Sequence, residues 1–174
     1  MTTLRKIAIV LGVQLLIVGS VIAFKQYTVW TGETVRLAVG PVDPRDPFRG
    51  DYVTFQYEIS RIDVAELIGE DSAYGTVYVE LREGEDGIWD AVAIHDERQH
   101  EFEDTVLLKG KADSNDGRTM NIRYGIEELF IPEGSGRDIP WRDVSVEIKV
   151  DRFGNAVLRH LLLANGERIE LERR

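Results

Sequence analysis

The stretch GDYVTFQYEI, residues Gly50 to Ile59, has a counterpart in GRTMNIRYGI, residues Gly117 to Ile126. Glycine, tyrosine and isoleucine coincide at matched places, and apolar residues stand at two further matched positions. Alternation of apolar and polar residues is typical of a strand with one buried face. The two stretches therefore predict two equivalent strands, 67 residues apart.

The same offset relates a second pair of segments, TVYVEL at Thr76–Leu81 and DVSVEI at Asp143–Ile148. Over the 45 ungapped positions that begin at Gly50, 10 residues are identical. A constant offset between well-separated blocks favours an internal repeat over chance. We predict half-repeats at about 35–102 and 103–169.

Strand patterns dominate the chain after its N-terminal segment. They predict a mainly β fold of two pseudo-repeated units, barrel-like or sandwich-like. The segments SRIDVAELI and EELFIPEG, within 60–68 and 127–134, are predicted to be short helical or irregular connections. The dipeptide Asn165-Gly166 predicts a tight hairpin into a last strand.

An apolar run covers Ile7–Phe24, and Arg5 and Lys6 precede it. As a helix, this run is long enough to cross the hydrocarbon core of a bilayer. Because positive charge stays on the cytoplasmic side, the rest of the chain is expected outside the cytoplasm, periplasmic or extracellular. We predict a cytoplasmic segment 1–6, a transmembrane helix or uncleaved signal anchor 7–24, a linker 25–32 and an extracytoplasmic β domain 33–174. A cleaved signal peptide is the alternative.

Charge and composition exclude several classes of function. The 21 Lys and Arg residues against 31 Asp and Glu residues give a net charge of −10. Such a chain is repelled by nucleic acid and by anionic lipid surfaces. The sequence contains no cysteine, which excludes disulfides and thiolate metal sites.

The loop VDPRDPFRGDY before the first motif strand is the best candidate for an interaction site. Two prolines stiffen it, and Gly50 allows a tight entry into the strand. Its charged residues alternate in sign, and they either pair with one another in an internal turn or contact a partner. The predicted partner-binding residues are Asp43, Arg45, Asp46, Arg49 and Asp51, and the predicted stiffening residues are Pro44 and Pro47.

The residues Gly50–Tyr57 resemble the signature of the bacterial GDYXXLXY family, with Phe55 in place of the leucine. The segment Tyr124–Gly134 is similar to the second block of the family. The motif residues singled out are Gly50, Tyr52, Phe55, Tyr57, Tyr124, Glu127 and Pro132. The resemblance implies a small membrane-anchored protein without an assigned activity, and an integral membrane or envelope protein as its partner.

Three further groups of residues have the chemistry of possible sites. Tyr57 and Tyr124 are expected in the core with hydroxyls bonded to backbone. Glu80 and Glu147 are expected to be exposed to solvent, with a buried carboxylate pair between the halves as the alternative. The histidines His95, His100 and His160 have no familiar metal-binding spacing.

The sequence contains no nucleophile elbow, phosphate-binding glycine loop or paired zinc motif. We therefore expect a non-enzymatic accessory module that docks on an integral membrane or envelope protein, without a cofactor or metal. The alternative is an envelope hydrolase or small-ligand-binding protein with its site between the two halves. A spacer without a ligand also stays open, and the sequence leaves the oligomeric state undetermined.

Overall fold

A computed structural model describes residues 3–40, 52–63, 75–98, 104–115, 118–130, 144–164 and 166–169. The chain begins with one long helix, α1 (Thr3–Thr31). The strands that follow are β1 (Glu33–Ala38), β2 (Tyr52–Thr54), β3 (Arg61–Asp63), β4 (Gly75–Glu83), β5 (Trp89–His95), β6 (Thr105–Asn115), β7 (Thr119–Arg123), β8 (Glu128–Phe130), β9 (Val144–Val150), β10 (Ala156–Leu163) and β11 (Arg168–Ile169). A single 3₁₀ turn, Glu58–Ser60, lies between β2 and β3.

The strands form antiparallel sheets, which confirms the predicted mainly β fold. One sheet has the order β1-β9-β10-β11, a second has the order β3-β7-β6-β4-β5, and β2 pairs with β8 in a short ribbon. These sheets do not close into a barrel. Both large sheets contribute apolar side chains to one core, which includes Leu37 and Ile148 from the first sheet and Leu81 and Leu108 from the second. This arrangement is sandwich-like.

Residue alternation explains how β9 and β4 bury one face each. In β9 the side chains of Val144, Val146, Ile148 and Val150 are buried, and the intervening ones are partly exposed. In β4, Val77, Val79 and Leu81 are fully buried. Because strand side chains alternate between faces, each valine–aliphatic row covers the core side of its sheet.

Strands from the two predicted half-repeats pair with one another in matching registers. Thr54 pairs with Glu128 in the β2–β8 ribbon, and Arg61 pairs with Asn121 between β3 and β7. Adding 67 to Thr54 gives Asn121, and subtracting 67 from Glu128 gives Arg61, so the two ladders have the same register. A register shift lies between Glu80 and Leu81 on β4, and another lies opposite Glu147 and Ile148 on β9.

Two predicted irregular connections contain strands instead. The segments 61–63 and 128–130 are β3 and β8, so the prediction of helical or irregular structure is wrong there. Neither segment alternates clearly in sequence, and each becomes a strand because a distant partner, β7 or β2, supplies its hydrogen bonds. The predicted hairpin after β10 is confirmed by the pairing of β10 with β11.

The helix α1 continues past the apolar run to Thr31, through most of the segment 25–32 predicted as a linker. Helical geometry persists because the last turns are held against the β domain. Thr28 is fully buried, and its hydroxyl donates a hydrogen bond of 2.6 Å to Oδ2 of Asp151, just after β9. The ammonium group of Lys149 donates to the carbonyl of Gly32 at 3.1 Å.

Gly32 permits this close approach of the helix to β9. A Cβ atom at residue 32 would lie 2.5 Å from the carbonyl oxygen of Thr28 and 3.0 Å from that of Val150. Only glycine fits between two backbone segments at such distances. The chain therefore passes from the end of α1 into β1 with Gly32 as the single residue between them.

Asp151 organises the turn after β9 as well as the helix end. Its Oδ1 atom accepts hydrogen bonds from the backbone N–H groups of Phe153 and Asn155. Burial by itself raises the pKa of the Asp151 carboxyl, but the hydrogen bonds from Thr28, Phe153 and Asn155 outweigh burial and hold this pKa below its ordinary value. The ionised carboxylate is thus the form that stabilises the junction.

We predict that Thr28→Val destabilises the full chain in detergent by about 1.5–3 kcal/mol, because a buried charged acceptor loses its donor. Thr31→Val is the matched control, since the Thr31 hydroxyl bonds only within the helix, to the carbonyl of Tyr27. Because the pKa of Asp151 is lowered by folding, its stabilisation is present above the unfolded-state pKa of about 4 and is lost as the pH falls through the folded-state pKa. Thermal unfolding of the wild type and of both variants between neutral and acid pH measures the cost of each substitution and the loss of stability at acid pH. Equal destabilisation by Thr28→Val and Thr31→Val would contradict the role of Thr28.

Candidate functional site

The two motif blocks form one structural unit around a pair of buried tyrosines. The hydroxyl of Tyr57 donates to the carbonyl oxygen of Ile126 at 2.6 Å. The hydroxyl of Tyr124 donates to the carbonyl oxygen of Ile59, also at 2.6 Å. The donors are 67 residues apart, and so are the acceptors. Each tyrosine therefore fastens the chain segment that follows the other tyrosine.

The surroundings of both tyrosines are closed and apolar. Tyr57 is 1% exposed, Tyr124 is 8% exposed, and Phe55 packs beside Tyr57 with ring centroids 6.3 Å apart. Burial raises the pKa of both hydroxyls far above the ordinary tyrosine value, and the nearby carboxylate of Glu127 raises each further. The hydroxyls are consequently neutral donors to backbone, as predicted from their place on the strands.

Glu127 holds the turn between β7 and β8. Its carboxylate accepts a hydrogen bond from the backbone N–H of Tyr124, and its own carbonyl accepts one from the N–H of Phe55 at 2.6 Å. Gly125 takes a positive φ of 76° within this turn. Hydrogen bonds to Glu127 thus connect residues within the second motif block and also join that block to the first.

An open cleft of about 780 Å³ lies on the outer side of this unit. Its lining combines motif and neighbouring residues from several strands: Thr54, Gln56, Lys111, Arg123, Glu127 and Glu128. Arg123 forms an ion pair with Asp113, which lowers the pKa of that carboxyl. Ser60 is a further lining residue, and its hydroxyl oxygen is buried and has no hydrogen-bond partner in the described part of the chain. The lining is largely apolar, and it includes charged groups of both signs.

All of the loop residues predicted to bind a partner lie outside the described residues, as do the stiffening prolines and two motif residues. This applies to Asp43, Pro44, Arg45, Asp46, Pro47, Arg49, Gly50 and Asp51, and also to Pro132 in the second block. The structure does bring together Phe55, Tyr57, Tyr124 and Glu127, and it pairs Tyr52 with Phe130 in the ribbon. The loop that carries the predicted partner-binding residues leads directly into β2, at this ribbon.

The matched glutamates do not behave as predicted. Glu80 is only 7% exposed, and its Oε2 atom lies 3.0 Å from Nε2 of His95, so the prediction of solvent exposure is wrong for Glu80. Glu147 is partly buried and lies 3.9 Å from Nε2 of His160 and 3.5 Å from Arg168. Neighbouring strands cover these carboxylates with imidazole groups, which the sequence does not place beside them.

The alternative of a carboxylate pair between the halves is also wrong. Glu80 lies between Val79 and Leu81, and Glu147 lies between Val146 and Ile148; all four of these neighbours are core residues. Because side chains alternate along a strand, both glutamates point away from the shared core. Glu80 contacts His95, and Glu147 contacts His160 and Arg168, so the two glutamates form no pair with each other.

The described residues provide a scaffold and an open cleft, and neither the Glu80–His95 pair nor the Glu147–His160 pair lines that cleft. Among them, no three His, Asp or Glu side chains are grouped so as to hold a metal ion. His100 lies outside this part of the chain. Sequence reasoning missed Lys111 and Arg123, because strand residues that meet in a cleft only through sheet pairing leave no local signal.

We predict that Tyr57→Phe and Tyr124→Phe each destabilise the β domain by about 1–3 kcal/mol, since each leaves a buried carbonyl without its donor. The two costs should be similar, because the two hydrogen bonds have equal lengths and matched acceptors. Chemical denaturation of the full chain in detergent measures them, with the half-buried Tyr78→Phe as control. A change within the error of the control would show that these hydroxyls are dispensable.

The same hydroxyls give the fold an alkaline limit. Folding raises both pKa values, so their contribution is fully present below the unfolded-state pKa of about 10 and is lost as the pH rises above it. The phenylalanine variants should therefore lose less stability than the wild type above about pH 10. An unchanged slope of stability against pH would contradict this assignment.

Comparison with curated proteins and with solved structures finds no match. Comparison with protein families finds one that covers most of the chain: residues 14–161 match the GDYXXLXY protein family. The matched region includes the strand β2, both tyrosines, the Glu127 turn and the cleft around them. The chain therefore belongs to the GDYXXLXY protein family.

Proposed function

We propose that this protein is a membrane-anchored, extracytoplasmic accessory module that docks on an integral membrane or envelope protein. The anchor is α1, the described helix that is long and apolar enough to cross a membrane. Its apolar side chains are exposed in the isolated chain; Leu15 and Leu16, for example, are each 72% exposed. Such a continuous apolar surface needs an apolar environment around it.

One observation carries the docking part of the proposal. The motif tyrosines are fully used in internal hydrogen bonds, whereas the charged residues around them line an open cleft. A motif that builds a closed core supplies shape rather than reactive groups. The cleft then presents Lys111, Arg123 and Glu128 to a partner, and polar groups of both signs at a rim favour specific recognition.

The loop with Asp43, Arg45, Asp46, Arg49 and Asp51 extends this proposed surface. It ends where β2 begins, and Thr54 of β2 lines the cleft. At the corresponding positions the second half has KADSNDG, without the prolines and the arginines, and the first five of these residues form the end of β6 instead of a loop. We infer that the charged loop serves the partner and not the strands it connects.

We also infer that the β domain consists of two related halves. The support is the offset of 67 residues, which relates the β2–β8 ladder to the β3–β7 ladder and the two tyrosine hydrogen bonds to each other. On this view, β2 of one half pairs with β8 of the other, and β7 pairs with β3. The halves are therefore interlocked.

A second candidate is a small-ligand-binding protein. The volume of the cleft and its largely apolar lining with a few charged groups favour it. A ligand of this kind would contact Lys111, so Lys111→Ala would weaken its binding. The loop pair Asp46→Lys, Arg49→Glu would leave ligand binding unchanged and would weaken only the docking of a protein, which separates the two functions.

Membrane topology can be tested by cysteine labelling, because the chain contains no cysteine of its own. We predict that Asp86→Cys, on an exposed turn, reacts with a membrane-impermeant maleimide in intact cells, and that Thr3→Cys reacts only after lysis. Labelling of both cysteines only after lysis would contradict the extracytoplasmic placement. Loss of the Thr3→Cys label from the mature protein would show that the N-terminal segment is cleaved.

Partner docking can be tested by cross-linking in native membranes, followed by recovery of the full chain in detergent. We predict severalfold lower recovery of the cross-linked partner with Asp46→Lys, Arg49→Glu and with Lys111→Glu, Glu128→Lys, because both pairs reverse charges on the proposed surface. Glu85→Lys, Asp86→Lys on the β4–β5 turn is the control. Equal recovery from all variants would contradict docking through this surface.

A further inference from the structure

The two long hairpins end in turns of the same geometry but different chemistry. In the β4–β5 turn, Gly84 N–H donates to Ile88 and Gly87 N–H donates to Gly84. In the β9–β10 turn, Asp151 N–H donates to the carbonyl of Asn155, and Gly154 N–H donates to that of Asp151. All these positions differ by 67, and the matched glycines Gly87 and Gly154 have φ values of 76° and 83°. The geometry of both turns therefore requires glycine at this position, but it does not require particular residues at the two positions before the glycine.

Those intervening residues differ in charge and polarity. The β4–β5 turn has Glu85 and Asp86, whereas the β9–β10 turn has Arg152 and Phe153 at the matched positions. Both turns are exposed to solvent, and in the β9–β10 turn Phe153 is 40% exposed. An exposed aromatic next to an arginine is not required to close a hairpin whose counterpart closes with two acids.

The β9–β10 turn lies beside the end of α1. The rings of Phe153 and Tyr27 have centroids 6.5 Å apart, and the Thr28–Asp151 hydrogen bond fixes the turn to the helix. Tyr27 follows the last residue of the apolar run by three positions, about 4.5 Å along a helix axis. Trp30, one turn further, is 78% exposed. If α1 crosses a bilayer, these aromatics are at the depth of the lipid headgroups.

Two guanidinium groups flank the exposed ring. The Arg152 guanidinium lies 4.8 Å from the centroid of Phe153, and that of Arg98 lies 5.9 Å from it. Arg98 also donates to the carbonyl of Arg152 at 2.8 Å, which holds both arginines on the same turn. Guanidinium groups bind phosphate oxygens well because their N–H donors form a planar fork.

We propose that the turn Asp151–Asn155, together with Arg98, is a lipid-docking surface, with Phe153 at the level of the headgroups and Arg98 and Arg152 on lipid phosphates. This proposal depends on the proposed membrane anchor. The surface would face the leaflet on the side of the β domain. Glu33, Asp104 and Asp151 line a cleft of about 400 Å³ together with Arg98 and Arg152, so these carboxylates balance the charge of the two guanidinium groups and the ring supplies much of the attraction. The net charge of −10 argues against lipid contact for the whole surface, whereas this turn offers two exposed guanidinium groups beside an exposed ring.

The depth of the turn can be measured by spin labelling the full chain in vesicles of phosphatidylcholine and phosphatidylglycerol. Single nitroxides are placed by Phe153→Cys, by Asp86→Cys on the matched turn and by Leu15→Cys in the helix. We expect the ratio of oxygen collisions to nickel-chelate collisions to be severalfold higher at 153 than at 86, and highest at 15. In the Arg98→Glu, Arg152→Glu background, and at about 1 M salt, the value at 153 should fall towards that at 86.

The outcomes separate the two proposals. A low ratio at 15 would show that the helix is not in the bilayer, which overturns the anchor. A high ratio at 15 with equal ratios at 153 and 86 would overturn the lipid-docking surface alone. Protection of 153 from both reagents in native membranes, combined with full nickel accessibility in lipid vesicles, would show that a protein covers the turn and would also overturn it.

Discussion

The fold depends on two reciprocal hydrogen bonds, from Tyr57 to Ile126 and from Tyr124 to Ile59. Each joins segments almost seventy residues apart, so neither half of the chain can satisfy its own tyrosine. The same exchange governs the strands, because β1 pairs with β9 and β6 pairs with β4. Local contacts within one half are therefore insufficient for its core, and folding requires contacts of long sequence separation to form together.

This interlocking explains which substitutions the family motif can tolerate. Phe55 replaces the leucine of the motif and is 1% exposed, packed against Tyr57. An apolar residue of similar or larger size keeps this space filled, whereas loss of the tyrosine hydroxyl leaves a backbone oxygen unpaired in a closed core. The motif is thus a requirement of packing and hydrogen bonding, and the reactive or recognising groups lie around it.

Much of this could be predicted from sequence because the responsible patterns are local. Alternation predicted β4, β9 and β10, and the Asn165-Gly166 dipeptide predicted the last hairpin, although Asn165 itself lies outside the described residues. The offset of 67 placed Tyr57 and Tyr124 correctly as buried donors. The burial of Glu80 and the Thr28–Asp151 bond were not predictable, since each depends on a residue that only the folded chain brings near.

The rigid helix junction has a consequence for how the β domain can meet a partner. A flexible linker after residue 24 would let the domain rotate freely above a membrane, but α1 runs unbroken to Thr31 and is fixed at Thr28 and Gly32. The orientation of the β domain relative to the helix is therefore set by the fold. If the turn at the helix end contacts lipid as proposed, its exposed ring and arginines would hold the motif cleft at one angle to the bilayer. The proposed docking on an integral membrane protein would then cost less rotational entropy than it would for a tethered domain.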